Sequence, residues 1–148
     1  MKIAVLSDTH GLLRSEVIEI IKTCDVIFHS GDIDAKEILI ELSALAPLYI
    51  VKGNNDKEWA EQLPLSLCFE LDGIKFFIVH DKKDLPLDLS EVDVVIFGHS
   101  HQYSEERKCG QLYLNPGSCG KRRFRLPVTM AVIETLDGKV DVRRIDFE

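Results

Sequence analysis

Gly98-His99-Ser100-His101 sets two histidines two positions apart, directly after the apolar run Val94–Phe97. Two imidazoles can hold a transition metal, but they can equally be the polar end of an ordinary strand, so other donors must converge on them. The chain supplies such donors. Asp8-Thr9-His10 follows the run Ile3–Leu6, Gly31-Asp32 comes soon after Val26–Phe28, Gly53-Asn54-Asn55-Asp56 follows Leu48–Val51, and His80 follows Phe76–Val79. Carboxylate, amide oxygen and imidazole suit divalent Mn, Fe, Co, Ni or Zn, and a donor set without thiolate argues against a purely structural zinc. Any one of these histidines alone would more often be structural. Four of the five histidines, two aspartates and an asparagine at successive strand ends make coincidence a poor account.

The elements that must position these donors follow from the apolar pattern. The five runs read as strands, each ending in polar residues and often in glycine. Val17, Ile18, Ile20, Ile21 and Cys24 suit the buried face of a first helix with Ser15 as its N-cap; Ile38, Leu39, Leu42 and Leu45 suit a second, ended near Pro47. A β-α-β-α-β beginning implies a largely parallel sheet, whose strands deliver their carboxyl ends to one edge. Asp72-Gly73, between Leu67–Leu71 and Ile74–Val79, and Asp137-Gly138, between Val128–Thr135 and Lys139–Ile145, read as tight hairpin turns that add antiparallel pairs. The expected fold is α/β, with two mixed sheets packed face to face and helices outside. In extended chain, residues i and i+2 point the same way, so Asp8 with His10, and His99 with His101, are each expected to serve one locus. Glycines 31, 53 and 98 are expected to let the backbone turn where a Cβ would hinder it.

The 148 residues are expected to form one domain, 1–148, with no repeat, low-complexity tract or linker to divide them. No apolar stretch approaches a membrane span, and the short run at the N-terminus reads as a first strand rather than a signal peptide, so a soluble cytoplasmic protein is expected. Cys24, Cys68, Cys109 and Cys119 form no Cys-x-x-Cys pair and read as free thiols. A formal net charge of −7 argues against binding long nucleic acid or anionic membrane. The local exception is the basic segment Lys121, Arg122, Arg123 and Arg125. Oligomeric state is left open, a homo-oligomer included.

Asp8-x-His10, Gly31-Asp32, Gly53-Asn54-x-Asp56, His80 and Gly98-His99-x-His101, in this order, resemble the calcineurin-like metallophosphoesterases, specifically the small YfcE-like phosphodiesterase branch. The likeness runs through Asn115-Pro116-Gly117-Ser118 to the closing hairpin. It implies a four-layer αββα sandwich and a two-metal centre. Asp8, His10, Asp32 and His101 would hold one ion, and Asp32, Asn54, His80 and His99 the other, with Asp32 bridging and Mn the metal by resemblance. The implied reaction is hydrolysis of a phosphoester, most simply a small phosphodiester or nucleotide-type substrate, by a metal-bridging hydroxide. Asn54 would ligate and also lie close to the phosphate, and Arg123, aligned with an arginine that follows the Asn115–Ser118 turn in relatives, would clamp a phosphate oxygen. Two alternatives remain: a phosphomonoesterase, and a catalytically weak protein-binding scaffold like the retromer subunit of the same fold.

Departures from the family pattern bear on the substrate. Position 55 is asparagine where protein-phosphatase-like members carry a histidine that protonates the leaving group, which favours activated or diester substrates. Asp81 stands where relatives usually have glycine, and is read as starting the loop Asp81–Pro86 rather than facing the metals. His29 is read as a packed or supporting histidine. Asp56 either orients the site or caps the segment Lys57–Gln62.

Overall fold

Apolar runs buried on both faces become central strands, and alternating runs become strands with one face in solvent. The computed structural model describes residues 1–147. In chain order it contains β1 (Lys2–Leu6), α1 (Ser15–Ile21), β2 (Val26–His29), α2 (Lys36–Leu45), β3 (Leu48–Ile50), β4 (Ser66–Leu71), β5 (Ile74–Val79), β6 (Val94–Ile96), β7 (Ser104–Lys108), β8 (Gln111–Asn115), β9 (Val128–Leu136) and β10 (Lys139–Phe147). Short 3-10 turns lie at Glu58–Ala60 and Lys82–Asp84. The first sheet has the order β10-β9-β1-β2-β3 and the second β4-β5-β6-β8-β7. β1, β2 and β3 run parallel in the first, and β5, β6 and β8 in the second; the flanking pairs are antiparallel. The expected α/β fold with two mixed sheets is therefore present.

Between the sheets, Ile3, Val5 and Phe28 of the first pack with Phe76, Ile78, Ile96 and Leu114 of the second in one apolar cluster. Phe28 is its aromatic hub, with its ring edge-on to those of Tyr49, Phe69 and Phe76 at 5.5, 5.3 and 5.0 Å. A second cluster joins the outer face of the first sheet, through Leu6, Ile27, Met130 and Val132, to Val17 and Ile21 of α1 and Ile38 and Leu42 of α2. The outer face of the second sheet is covered more thinly. Val79, Val95 and Phe97 pack with Val92, Leu85 and Leu89 of the segment that follows the Lys82–Asp84 turn, and among the described residues no α-helix lies in that layer.

Two local expectations need correction. Ser15 does not cap α1: the N-cap is Arg14, no side chain caps the helix, and the Ser15 hydroxyl donates to Glu16. A third hairpin, β7–β8, turns at Cys109-Gly110. It carries weak sequence signals, because β7 (Ser-Glu-Glu-Arg-Lys) has no apolar residue and is exposed throughout. All three hairpin turns place a non-glycine residue and a glycine at positive φ: Asp72-Gly73, Cys109-Gly110 and Asp137-Gly138.

Truncating the aromatic hub tests the sandwich interior. Phe28→Ala is expected to cost about 3–5 kcal/mol in urea denaturation, through lost transfer free energy and an unfilled cavity. A loss below about 1 kcal/mol would show that the sheets do not rest on this ring.

Candidate metal centre

The parallel strands of both sheets release their carboxyl ends at one edge, and there the chain abandons extended geometry. Asp8 (φ 54°), His10 (46°), Asp32 (60°), Asp34 (62°), His99 (74°) and His101 (64°) are all left-handed. Such residues persist only where surrounding contacts over-determine them, and they gather at functional sites. The period-two expectation therefore fails as a mechanism. Asp8 and His10 do meet, His10 Nε2 lying 3.5 Å from Asp8 Oδ1, but by a turn that sends Thr9 to His29. His99 and His101 part company: His101 is buried against Asp8 and His10, whereas His99 is exposed.

Glycine is needed as expected, since a Cβ would be obstructed at all three positions, but for two different reasons. Of the three positions, only Gly31 has a left-handed φ, 107°. Gly53 and Gly98 are required by space: a Cβ on Gly98 would collide with the Ser7 hydroxyl and the Asp8 carboxylate.

Five of the seven selected residues converge. Two groups could hold an ion, Asp8–His10–His101 and Asp8–Asp32–His80, with one donor atom of each residue within 4.8 Å of the others in its group. Asp8 Oδ1 lies 3.4 Å from His101 Nε2 and 3.9 Å from His80 Nε2. Asp32 Oδ2 is 3.6 Å from His10 Nε2 and 3.3 Å from His80 Nε2, so it too spans both groups. Asn54 and His99 sit at the rim. The Asn54 Oδ1 is 3.1 Å from His99 Nδ1, and the His99 ring lies beside that of His80, with centroids 5.2 Å apart.

Neighbouring groups aim each donor. Asp8 Oδ2 accepts from the Ser7 hydroxyl (2.6 Å) and the His99 N–H (3.1 Å), which leaves Oδ1 facing inward. The Asn55 backbone N–H donates to Asp32 Oδ1 at 2.8 Å, so the asparagine at 55 helps to hold the carboxylate. His10 Nδ1 meets Asp34 Oδ2 at 2.7 Å and His80 Nδ1 meets the Ser30 carbonyl at 2.8 Å, arrangements that turn both Nε2 atoms to the centre. Asp56 binds the loops together, accepting from the N–H groups of Asp32, Ile33, Asp34 and Gly53. It thus orients the site; the alternative cap is not formed, since Lys57 precedes the Glu58–Ala60 turn without a side-chain bond. Asn115 donates to the Gly98 carbonyl and the Ser100 hydroxyl, and Ser118 to the Asp8 carbonyl, so the Asn115–Ser118 turn buttresses two ligand-bearing loops.

Charge in this edge is tightly balanced. Burial alone would raise the Asp8 carboxyl, but His10, His101 and His80 hold it well below the ordinary carboxylate range. Burial would lower His80, yet its contact with Asp32 and the charge of Asp8 raise it to about 8. Burial opposes two further shifts in the same way: contacts with Asp8 and Asp34 raise His10, and contacts with His80 and the Asn55 N–H lower Asp32. His29 behaves oppositely. Fully buried, it receives the Gly31 N–H on Nδ1 and meets the Thr9 hydroxyl through Nε2, and burial lowers it to about 4. It is a neutral structural histidine.

The donor set fits divalent cations. Asp8 Oδ1 and His80 Nε2 are buried, aimed inward and without a hydrogen-bond partner. A cation between them would satisfy both and offset two buried carboxylates, and mixed oxygen and imidazole donors are those of a transition metal.

Asp81 takes the loop role and adds another. Its Oδ1 accepts from Lys83 N and caps the Lys82–Asp84 turn, while Oδ2 lies 3.6 Å from His99 Nε2. Arg123 is exposed in the basic segment. The sequence reading passed over Asp34 and Phe124. Asp34, two residues beyond Asp32, was detectable as a second carboxylate on the same turn; Phe124, whose ring lies 5.9 Å from that of His101, gave no pattern at all.

Comparison with known proteins places this geometry among relatives. Residues 1–138 match the model of the calcineurin-like phosphoesterase superfamily domain. A phosphodiesterase of Methanocaldococcus jannaschii is 31% identical over the whole of both chains. A solved archaeal phosphodiesterase superposes with a TM-score of 0.86 at 28% identity, covering 99% of this chain and all of the other. YfcE, a phosphoesterase from E. coli, shares the fold with a TM-score of 0.74 at 20% identity, covering 98% of each chain.

Two substitutions test the scaffold of the site. Asp56→Ala strands four backbone donors and is expected to cost about 3 kcal/mol or more and to reduce divalent-ion uptake, read by urea denaturation and calorimetric titration. His29 has a folded pKa of about 4, below the ordinary value of 6.5, so the unfolded chain takes the proton first. Stability from neutral His29 is present above about pH 6.5 and is lost as pH falls towards 4. The penalty of His29→Gln should therefore shrink by on the order of 2 kcal/mol between pH 7 and pH 4.5. A penalty independent of pH would mean that His29 is not held neutral.

Proposed function

The chain belongs to the calcineurin-like phosphoesterase superfamily, and we propose that it is a metal-dependent phosphodiesterase acting on a small phosphodiester or nucleotide-type substrate. The observation that carries this reading is the pair of donor groups that share Asp8 and present buried, unpartnered donor atoms to one locus. In the proposal Asp8, His10, Asp32 and His101 hold one divalent ion, and Asp32, Asn54, His80 and His99 the other, Mn being the first choice and Ni, Co, Zn or Fe alternatives. When bound, two such ions supply Lewis-acid activation of a water nucleophile and neutralise charge on the phosphoryl oxygens.

The protein's own residues do the positioning. Asp32 is pinned by Asn55 and turns Oδ2 towards His10 of one donor group and His80 of the other. In this reading the exposed Asn54 amide donates to a phosphate oxygen and the exposed Arg123 clamps another. With asparagine at 55 no imidazole stands there to protonate the leaving group, so the proton comes from solvent and good leaving groups are favoured. Asp81 sets a carboxylate beside His99, a charge that opposes a dianionic monoester more than a monoanionic diester. The relative named a phosphodiesterase, alignable over its whole length, agrees with that preference.

The test is hydrolysis of bis-p-nitrophenyl phosphate and of p-nitrophenyl phosphate by chelator-stripped protein, before and after adding Mn²⁺. Metal-restored turnover, faster for the diester, is expected. Faster monoester turnover would make the protein a phosphomonoesterase, and none with Mn²⁺, Zn²⁺, Ni²⁺ or Co²⁺ in folded protein would remove the enzymatic reading. Asp32→Asn and His99→Ala should bring turnover to background with circular dichroism unchanged, whereas Cys24→Ala, in the turn between α1 and β2, should retain it.

A further inference from the structure

Phe124 is the only aromatic side chain left mostly in solvent among the described residues, 78% exposed, and it stands at the mouth of the metal centre. Its ring meets that of His101 at 5.9 Å and 65°, so an edge contact holds it while a face stays open. Exposing a phenylalanine forfeits the gain of burying it, which makes its position informative.

The backbone holds it there under strain. Phe124 and Arg125 are both left-handed, φ 54° and 57°, a conformation uncommon for bulky residues and found where a fold fixes a functional group. The loop is anchored at both ends. Arg14 donates through Nε and Nη2 to the Gly120 carbonyl at 3.1 and 3.0 Å, Leu126 N–H closes a turn onto the Arg123 carbonyl at 2.9 Å, and Thr129 N–H bonds the Ser118 carbonyl at 3.0 Å. Gly120 itself lies so close to the Thr9 carbonyl that no Cβ fits.

Its neighbours in the chain, Lys121, Arg122, Arg123 and Arg125, are all exposed. Among the described residues their side chains make no hydrogen bond or ion pair. In a chain of net charge −7, four unpaired cations beside one exposed aromatic face favour an anion that also carries a flat ring. A nucleotide has both. A long polyanion is opposed by the charge on the remainder of the surface.

We infer that Phe124 is the platform on which the base of a small nucleotide-type ligand stacks while its phosphate occupies the proposed metal centre, with the Arg122–Arg125 segment supplying counter-charge. This rests on the phosphodiesterase reading for the phosphate position, and it makes Phe124 a specificity determinant. Stacking on an aromatic side chain tolerates any base, so selectivity for a base over none is expected, with little selectivity between bases.

The experiment is calorimetric titration of Mn²⁺-loaded protein with AMP and with ribose 5-phosphate, which lacks the base, for the wild type, Phe124→Ala and Phe124→Tyr. AMP should bind the wild type roughly five- to hundredfold more tightly than ribose 5-phosphate. Phe124→Ala should erase that preference without changing the melting temperature or the affinity for ribose 5-phosphate, and Phe124→Tyr should keep it. Equal binding of the two ligands by the wild type, binding of neither, or a preference that survives in Phe124→Ala would overturn the inference. Turnover of bis-p-nitrophenyl phosphate measured on the same wild-type sample separates the two readings. AMP preference without turnover supports the platform and removes the hydrolase; turnover without AMP preference does the reverse.

Discussion

Two carboxylates, Asp8 and Asp32, lie buried at the edge where the parallel strands of both sheets end. A buried anion is costly unless it is paired and hydrogen-bonded, and this requirement organises the rest of the edge. Asp8 is held on one oxygen by Ser7 and the backbone of His99, and Asp32 on one oxygen by the backbone of Asn55. The remaining oxygens face His10, His80 and His101. These partners come from the loops after β1, β3, β5 and β6, and Asp32 itself follows β2, so neutralising two charges ties five loops together.

Those loops cannot adopt the necessary shapes cheaply. Six residues at the site are left-handed without being glycine, and for bulky side chains that conformation costs roughly 1–2 kcal/mol apiece. Asp56 offsets part of this by taking four backbone N–H groups on one carboxylate, and the Asn115–Ser118 turn braces the site from the second sheet. The sandwich interior, centred on Phe28, supplies the rigid frame against which such strain can persist. Core packing and site chemistry are therefore joined: the β1 and β2 residues that fill the interior lead within a few positions into Asp8 and Asp32.

Polarity also divides along the site. The deep side, Asp8, His10, His101, Asp32 and His80, is buried and charge-balanced, while Asn54 and His99 stand at the rim with Asp81 behind them. Phe124, with its ring 5.9 Å from that of His101, adds an exposed aromatic face within the basic segment Lys121–Arg125. A phosphoester that reaches the buried side must therefore present its substituents to an open margin of mixed charge.

Residue type and order by themselves determined a great deal. Apolar runs followed by Asp8-x-His10, Gly31-Asp32, Gly53-Asn54, His80 and Gly98-His99-x-His101 were enough for the strands, the mixed sheets and the residues that gather at one edge, because strand propensity and donor chemistry are local properties. Hairpins at Asp72-Gly73 and Asp137-Gly138 were legible for the same reason, whereas β7, all polar beside Cys109-Gly110, was not. Only the tertiary structure decided how the donors meet. Left-handed turns replaced strand alternation, so His99 and His101 diverged, Asp8 came to serve both donor groups, and Asp34 and Asp56 acquired roles from partners more than twenty residues away in sequence or on other loops. Phe124 had no periodicity to betray it. Its position at the mouth exists because Arg14 and Ser118 anchor a loop across the fold, and long-range contacts of that kind leave no mark on a local pattern.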